Sequence, residues 1–196
     1  MTATDYVINL VLSAILIIGA YQFYFWCQRN PLATPRQIKL RIDERIPYWP
    51  GWVWIYSFLY YPVILYLNFV IDSARQFTYV ATSYMLLLAL QMVFFVLFPV
   101  ATPSHWRSYN LERSLSERLL AMIQRMDARS NSFPSMHVSV AMLTAMHLLP
   151  HVGTLVLAFP VVIALSCLFT KQHYVLDMPA GALLGWCSFA AYRVLL

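Results

Sequence analysis

Residues 130–170 read SNSFPSMHVSVAMLTAMHLLPHVGTLVLAFPVVIALSCLFT and contain no Asp, Glu, Lys or Arg. An α-helix needs about 20 apolar residues to cross a bilayer, so this run has the length for two crossings. Leu149-Pro150-His151-Val152-Gly153 interrupts it, since proline and glycine punctuate helices. The reading is a hairpin of two spans near Phe133–Leu149 and Thr154–Thr170. Open sheet edges are not tolerated in lipid, so both are helices.

The same pattern continues outward from this hairpin. Tyr6–Trp26 is uncharged, Trp52–Ile71 is rich in Trp and Tyr, and Phe77–Val100 and Met178–Leu196 are apolar. Trp and Tyr anchor at membrane interfaces, and Arg193 is close enough to its span's end to snorkel. Composition agrees: 61% of the 196 residues are hydrophobic, 16% aromatic and 11% charged, with a mean hydropathy of +0.63. A soluble domain carries about 25% charged residues. A soluble globular domain, a disordered chain and a disulfide-stapled secreted module are all excluded. The length suits one compact bundle. The expectation is an all-α integral membrane protein, a six-transmembrane-helix bundle in a single domain over residues 1–196, with the lipid bilayer as its surroundings. Only five residues, none of them Lys or Arg, precede the first span, so it is read as retained rather than as a cleaved signal peptide.

Two polar stretches separate the spans. Gln28–Gly51 holds Arg29, Arg36, Lys39, Arg41 and Arg45 among four prolines and is expected to hug the interface. In 101–132, Leu111, Leu115, Leu119, Met122 and Met126 recur at helical spacing, with Glu112, Arg113, Glu117, Arg118 and Arg125 on the other face. This predicts an interfacial amphipathic helix between spans three and four, with Ser114 and Glu117 as a capping pair. The net charge of +5 is that of basic residues flanking spans, and no nucleic-acid partner is expected. Loops after spans one, three and five carry 11 Lys and Arg against Arg75 and Arg193 opposite. Taken alone, this places both termini outside the cytoplasm. Short loops suggest a bacterial inner membrane. Cys27, Cys167 and Cys187 lie in apolar stretches without metal-ligand spacing and read as small buried hydrophobes. No metal and no cofactor is expected.

Ionisable residues at the edges of spans are rare and mark function. One group is Ser132-Phe133-Pro134-Ser135-Met136-His137, opening the charge-free run. Proline is favoured in a helix's first turn, and free backbone N–H groups there bind phosphate. Ser135 adds a hydroxyl, and His137 lies about one turn in. The other group is Thr170-Lys171-Gln172-His173-Tyr174-Val175-Leu176-Asp177, on the same side of the membrane. Four residues separate His173 from Asp177, one helical face, where a carboxylate fixes the imidazole tautomer. Lys171 contributes a cation. Two histidines, a carboxylate, a cation and a helix N-terminus are the inventory of phosphoryl transfer. Each histidine alone reads as an interfacial or packed residue, and only the pair carries the functional reading. His105, His147 and His151 read as interfacial or packed, and Pro150 sets the last two off one helical face.

These two groups resemble the second and third signatures of the type 2 phosphatidic acid phosphatase/haloperoxidase superfamily. The Thr-Lys-x-His-Tyr-x-x-Asp form, with Ile46-Pro47-Tyr48-Trp49-Pro50, most resembles its sphingolipid-synthase-like branch, which includes inositol phosphorylceramide synthases. The resemblance covers roughly residues 46–190. It implies a metal-independent two-step reaction on a membrane lipid bearing a phosphate group. His173 would attack phosphorus and Asp177 would orient it. His137 would protonate the leaving alcohol, then activate water or an acceptor alcohol. Ser135 and the backbone at Met136 would bind phosphate oxygens. The family site usually faces away from the cytoplasm. Two departures stand out. The position of an Arg six residues before the nucleophilic His is Cys167, and the first signature is unmatched, Phe98–Arg107 taking its place. Lys171 and Arg107 are the candidate replacement cations, with Arg129 flanking the span. The expected activity is lipid phosphatase or phosphotransferase. The rivals are a non-catalytic transporter or lipid-binding scaffold on the same core, and a metal-dependent hydrolase using His137, His173 and Asp177 as ligands.

Overall fold

The computed structural model describes residues 1–107, 114–127 and 130–195. Among them the protein is all-helical, with α1 (Ala3–Arg29), α2 (Arg41–Arg45), α3 (Tyr60–Val70), α4 (Ala74–Leu97), α5 (Leu115–Met126), α6 (Met136–Val152), α7 (Ala158–Phe169) and α8 (Asp177–Leu195). Extended backbone pairs only at isolated bridges, where Arg36 and Asn131 meet Val100.

Of the six expected crossings, three are long and apolar enough to cross a membrane: Ala3–Arg29, Pro50–Val70 and Ala74–Leu97. The segments Met136–Val152 and Thr154–Phe169 are apolar but shorter. α1 starts early because Thr2 and Asp5 form a capping box. It leaves Val7, Ile8, Val11, Ile15 and Ile18 on the outside, a surface suited to lipid chains. The second long segment is not one uniform helix. A 3-10 turn at Pro50–Trp52 and a π-helical turn at Ile55–Leu59 lead into α3. Such π turns recur at functional sites, and this one carries the buried Tyr56.

The core sits around α6, whose Ala141, Leu143 and Ala145 are fully buried. α6 runs through Pro150 to Val152, three residues past the expected span end at Leu149 but within the expected break, and ends at Gly153 with φ 80°, a backbone region open to glycine. Its closest neighbour is α8, and small residues make that approach possible. A Cβ added at Gly181 would lie 2.6 Å from the Ser135 carbonyl oxygen, and one at Gly185 would overlap that of Ser139. Gly181 and Gly185, one turn apart, let two backbones meet as small-residue pairs do in membranes.

α5 is amphipathic as expected, and Ser114 caps it by accepting from the Glu117 amide at 3.2 Å. Glu117 lies opposite the Leu/Met stripe as expected, and that face is turned to the protein: Glu117 is buried with Leu120, Ala121 and Gln124, while Leu115, Met122 and Met126 lie outside. The apolar stripe thus faces away from the protein, as an interfacial helix requires. Leu111, Glu112 and Arg113 of the expected pattern, and Arg129, lie outside the described residues. The expectation for Cys187 is corrected, since it is exposed rather than buried.

The α6–α8 contact predicts a paired result. Gly185→Ala forces a methyl group into a closed contact, which costs about 1–3 kcal/mol, so thermal unfolding in detergent should shift to lower temperature. Gly19→Ala meets nothing within 4 Å and should leave the midpoint unchanged or raise it, because alanine is the better helix former.

Candidate active site

Two backbone turns build the site. The first precedes α6. Gln91 of α4 donates from Nε2 to the Pro134 carbonyl at 2.6 Å, and its Oε1 accepts from Ser139 Oγ at 3.1 Å. Buried amides are retained where every polar partner is supplied. Ser135 is the N-cap, its hydroxyl accepting from the Val138 amide at 3.4 Å. Pro134 therefore lies ahead of the helix and not within its first turn. Met136 opens α6 and His137 follows.

The second turn joins α7 to α8. Thr170 folds back on the Ser166 carbonyl at 2.6 Å, and the Gln172 amide reaches the Cys167 carbonyl at 3.0 Å. Lys171 takes φ 57° to make the reversal. His173 and Asp177 were expected to meet along one helical face. They meet instead because the loop curls over the start of α8, where Asp177 is the first helical residue.

Asp177 Oδ2 lies 3.1 Å from His173 Nδ1 and accepts from the Tyr174 amide at 2.9 Å. The Ser132 carbonyl oxygen lies 2.8 Å from the same Nδ1. Both neighbours of Nδ1 are acceptors, so Nδ1 carries the proton, and in the neutral ring Nε2 carries the lone pair. Nε2 faces the Ser135 hydroxyl at 3.4 Å. A further bond, from the Ser135 amide to the Asp177 carbonyl at 3.2 Å, ties the two turns together. His137 stands across from His173 with ring centroids 6.2 Å apart, edge to face. Its own ring lies on Tyr56 at 4.2 Å and Tyr60 at 5.2 Å. The structure thus brings Ser135, Met136, His137, His173 and Asp177 to one place.

The two candidate cations are engaged elsewhere. Lys171 donates to the Asp43 carbonyl at 2.6 Å and sits 4.9 Å from the Trp106 ring centroid. Burial pulls the pKa of its ammonium down, and nearby Glu44 and Asp43 oppose that shift. Arg107 pairs with Asp127 at 2.8 Å and donates to the carbonyls of Gln124 and Asp127 at 2.9 and 2.8 Å. It closes the C-terminal end of α5, favourable ground for a cation.

Three features were absent from the sequence reading. Asp43, 1% exposed, accepts from the Leu40 amide at 2.6 Å and from the Val175 amide at 2.8 Å. It fastens the α2 segment to the loop bearing His173. Its only signal was an Asp-Glu pair between Arg41 and Arg45, with nothing to link it to residue 175. Tyr56 and Tyr60 were read as belt residues but form the platform under His137. Cys167, noted only as a departure, is fully buried and lies beside both histidines: its sulfur and a ring nitrogen of each fall within 4.8 Å of one another.

His137 is among the residues lining a cavity of about 490 Å³. Its walls are α1, the Tyr56–Ile71 stretch and α4, through residues such as Leu16, Ile17, Tyr60, Ile64, Leu88 and Met136. It is mostly apolar, with Tyr24 and Asp127 among its polar groups.

No curated protein and no solved structure gives a significant match to the chain. Residues 51–191 do match a family profile, and the matched region runs from the 3-10 turn at Pro50–Trp52 into α8 with both histidines inside it. The chain belongs to the PAP2 superfamily, whose members are phosphatases and related phosphoesterases.

Proposed function

We propose that the protein is an integral membrane lipid phosphatase or phosphotransferase, with six membrane-crossing segments, that works through a phosphohistidine on His173. The observation carrying this reading is the double anchoring of His173 Nδ1 by Asp177 and Ser132, which leaves Nε2 as the lone-pair nitrogen facing Ser135 and His137. Nε2 attacks phosphorus, forming an N–P bond as the bond to the leaving oxygen breaks. His137 gives that oxygen its proton. In the second step water, or an acceptor alcohol, loses its proton to His137 and attacks phosphorus, and the N–P bond breaks. Ser135 and the first amides of α6, at Met136 and beyond, are placed for phosphate oxygens, with the helix dipole behind them. The apolar cavity lined in part by His137 supports a substrate whose chain lies among α1, α3 and α4 while its phosphate meets the histidines. Arg107 joins the phosphate only by exchanging its bond to Asp127. The sphingolipid-synthase-like branch, a bacterial inner membrane and a site facing away from the cytoplasm belong to the same proposal.

A second reading draws on one observation, the engagement of Lys171 and Arg107 by protein acceptors. It makes the chain a non-catalytic transporter or lipid-binding scaffold on an enzyme core. That reading predicts no turnover and tolerance of Asp177→Asn.

The deciding assay is phosphate release by chelator-treated protein over a panel of lipid phosphates and diphosphates, with phospholipid donors and alcohol acceptors run for transfer. Release or transfer should persist in chelator and fall by at least about 10³-fold in His173→Ala, as when a nucleophile is removed. His137→Ala should lose about 10²–10⁴-fold, the range of general acid–base catalysis. Full activity in folded His173→Ala ends the mechanism, and loss in chelator points to the metal-dependent hydrolase.

Asp43 generates a separate prediction. Asp43→Ala strips the Leu40 and Val175 amides of their acceptor, a net loss of about 0.5–1.5 kcal/mol for each bond. Part of that cost should appear as displacement of the His173 loop and a fall in kcat of about tenfold, with a smaller change in KM. Asp43→Asn keeps one acceptor oxygen and should fall between. Equal kcat in all three proteins would make Asp43 a purely structural tie.

A further inference from the structure

We infer that His137, Cys167 and His173 form a binding site for a divalent cation of the zinc class, and that its occupation blocks the nucleophile. Their nitrogen, sulfur and nitrogen atoms already lie within 4.8 Å of one another. A tetrahedral zinc shell with two nitrogen ligands and one sulfur ligand sets them about 3.3–3.6 Å apart, so a closure of about 1 Å completes it. Two imidazoles and one thiolate are the ligand types that hold zinc against the more abundant magnesium and calcium, which prefer oxygen. Three protein ligands leave a fourth position for water or a phosphate oxygen.

The surroundings suit a ligand histidine as well as a nucleophilic one. His173 presents Nε2 inward while Nδ1 donates to Asp177 and to the Ser132 carbonyl. A carboxylate behind the imidazole orients metal-binding histidines in the same way. Cys167 is fully buried at the end of α7, and its thiol gives up a proton to solvent on binding. His137 is partly exposed and lines the cavity, which supplies the route of access. Metal and substrate compete, because the lone pair that would bind the cation is the one that would attack phosphorus. Binding itself stands independently of the proposed activity, and only its inhibitory effect rests on that reading.

Cobalt is the probe, because a thiolate ligand gives Co²⁺ a charge-transfer absorption that nitrogen and oxygen ligands do not. Metal-free purified protein titrated with Co²⁺ should show this band at one ion per chain, and Zn²⁺ should displace it. Cys167→Ser should abolish the band, and Cys187→Ser, altering an exposed thiol, should retain it. Where lipid turnover is present, Zn²⁺ inhibition, scaled to each protein's own activity, should need at least about tenfold more Zn²⁺ in Cys167→Ser. A band in a protein that turns over no lipid supports the site while the phosphatase reading fails. Absence of the band, its persistence in Cys167→Ser, or unchanged Zn²⁺ sensitivity in that variant overturns the inference.

Discussion

The site depends on one proton held in place. His173 Nδ1 sits between two acceptors, the Asp177 carboxylate and the Ser132 carbonyl, and each belongs to a different turn. That geometry fixes the tautomer, aims Nε2, and joins the entrance of α6 to the entrance of α8. An unpaired imidazole N–H or carboxylate is costly where water is excluded, so the three groups hold one another. The Ser135 amide on the Asp177 carbonyl adds a fourth strand to the knot. The close passage of α6 and α8 past Gly181 and Gly185 makes it reachable. A bulge between those helices would separate Ser132 and Ser135 from Asp177, even though neither glycine touches a histidine.

Around this knot the protein spends its charges on itself. Asp43 and Lys171 lock the α2 segment to the His173 loop, one through its carboxylate and backbone oxygen, the other through its ammonium. Trp106, Tyr174 and Val100 pack over the same corner, and Tyr174 reaches the Ala101 carbonyl at 2.7 Å. The polar stretches between helices are therefore a seat for the site and not loose connections. At Lys171 and Arg107 the charge serves local structure.

Much of this was legible in the sequence because it is encoded locally. A charge-free stretch over 130–170 broken at Pro150 and Gly153 gives a pair of apolar helices, Met136–Val152 and Thr154–Phe169, and the two histidine groups announce themselves by standing where that stretch begins and ends. The N-cap at Ser135 and the amphipathic α5 follow from short-range patterns too. What escaped is tertiary. Asp43 meets Val175 across 132 residues of chain, and no spacing rule connects them. The apolar stripe of α5 was found, but Glu117 faces inward because the helix turns its other side to the protein. Cys167 looked like any small core residue until the loop placed both histidines beside it. His147 was read as interfacial or packed, and it is packed, buried against Ser83 at 2.8 Å, a choice that pattern alone could not make.

The family match begins at residue 51, yet the site is not finished by what lies after it. α1 contributes Leu16, Ile17, Tyr21 and Tyr24 to the cavity wall, and Asp43 stands in the segment between α1 and the matched region. α1 leaves much apolar surface on the outside, yet it is tied inward: Asn131 Nδ2 donates to the Tyr24 carbonyl at 2.9 Å, and the Tyr24 hydroxyl donates to Asp127 at 3.3 Å. Asn131 stands next to Ser132, whose carbonyl meets His173 Nδ1, so the helix that walls the cavity also reaches the turn that holds the site. The matched core thus carries the two histidine turns, and the chain before residue 51 completes them, through α1 in the cavity wall and through Asp43 under the His173 loop.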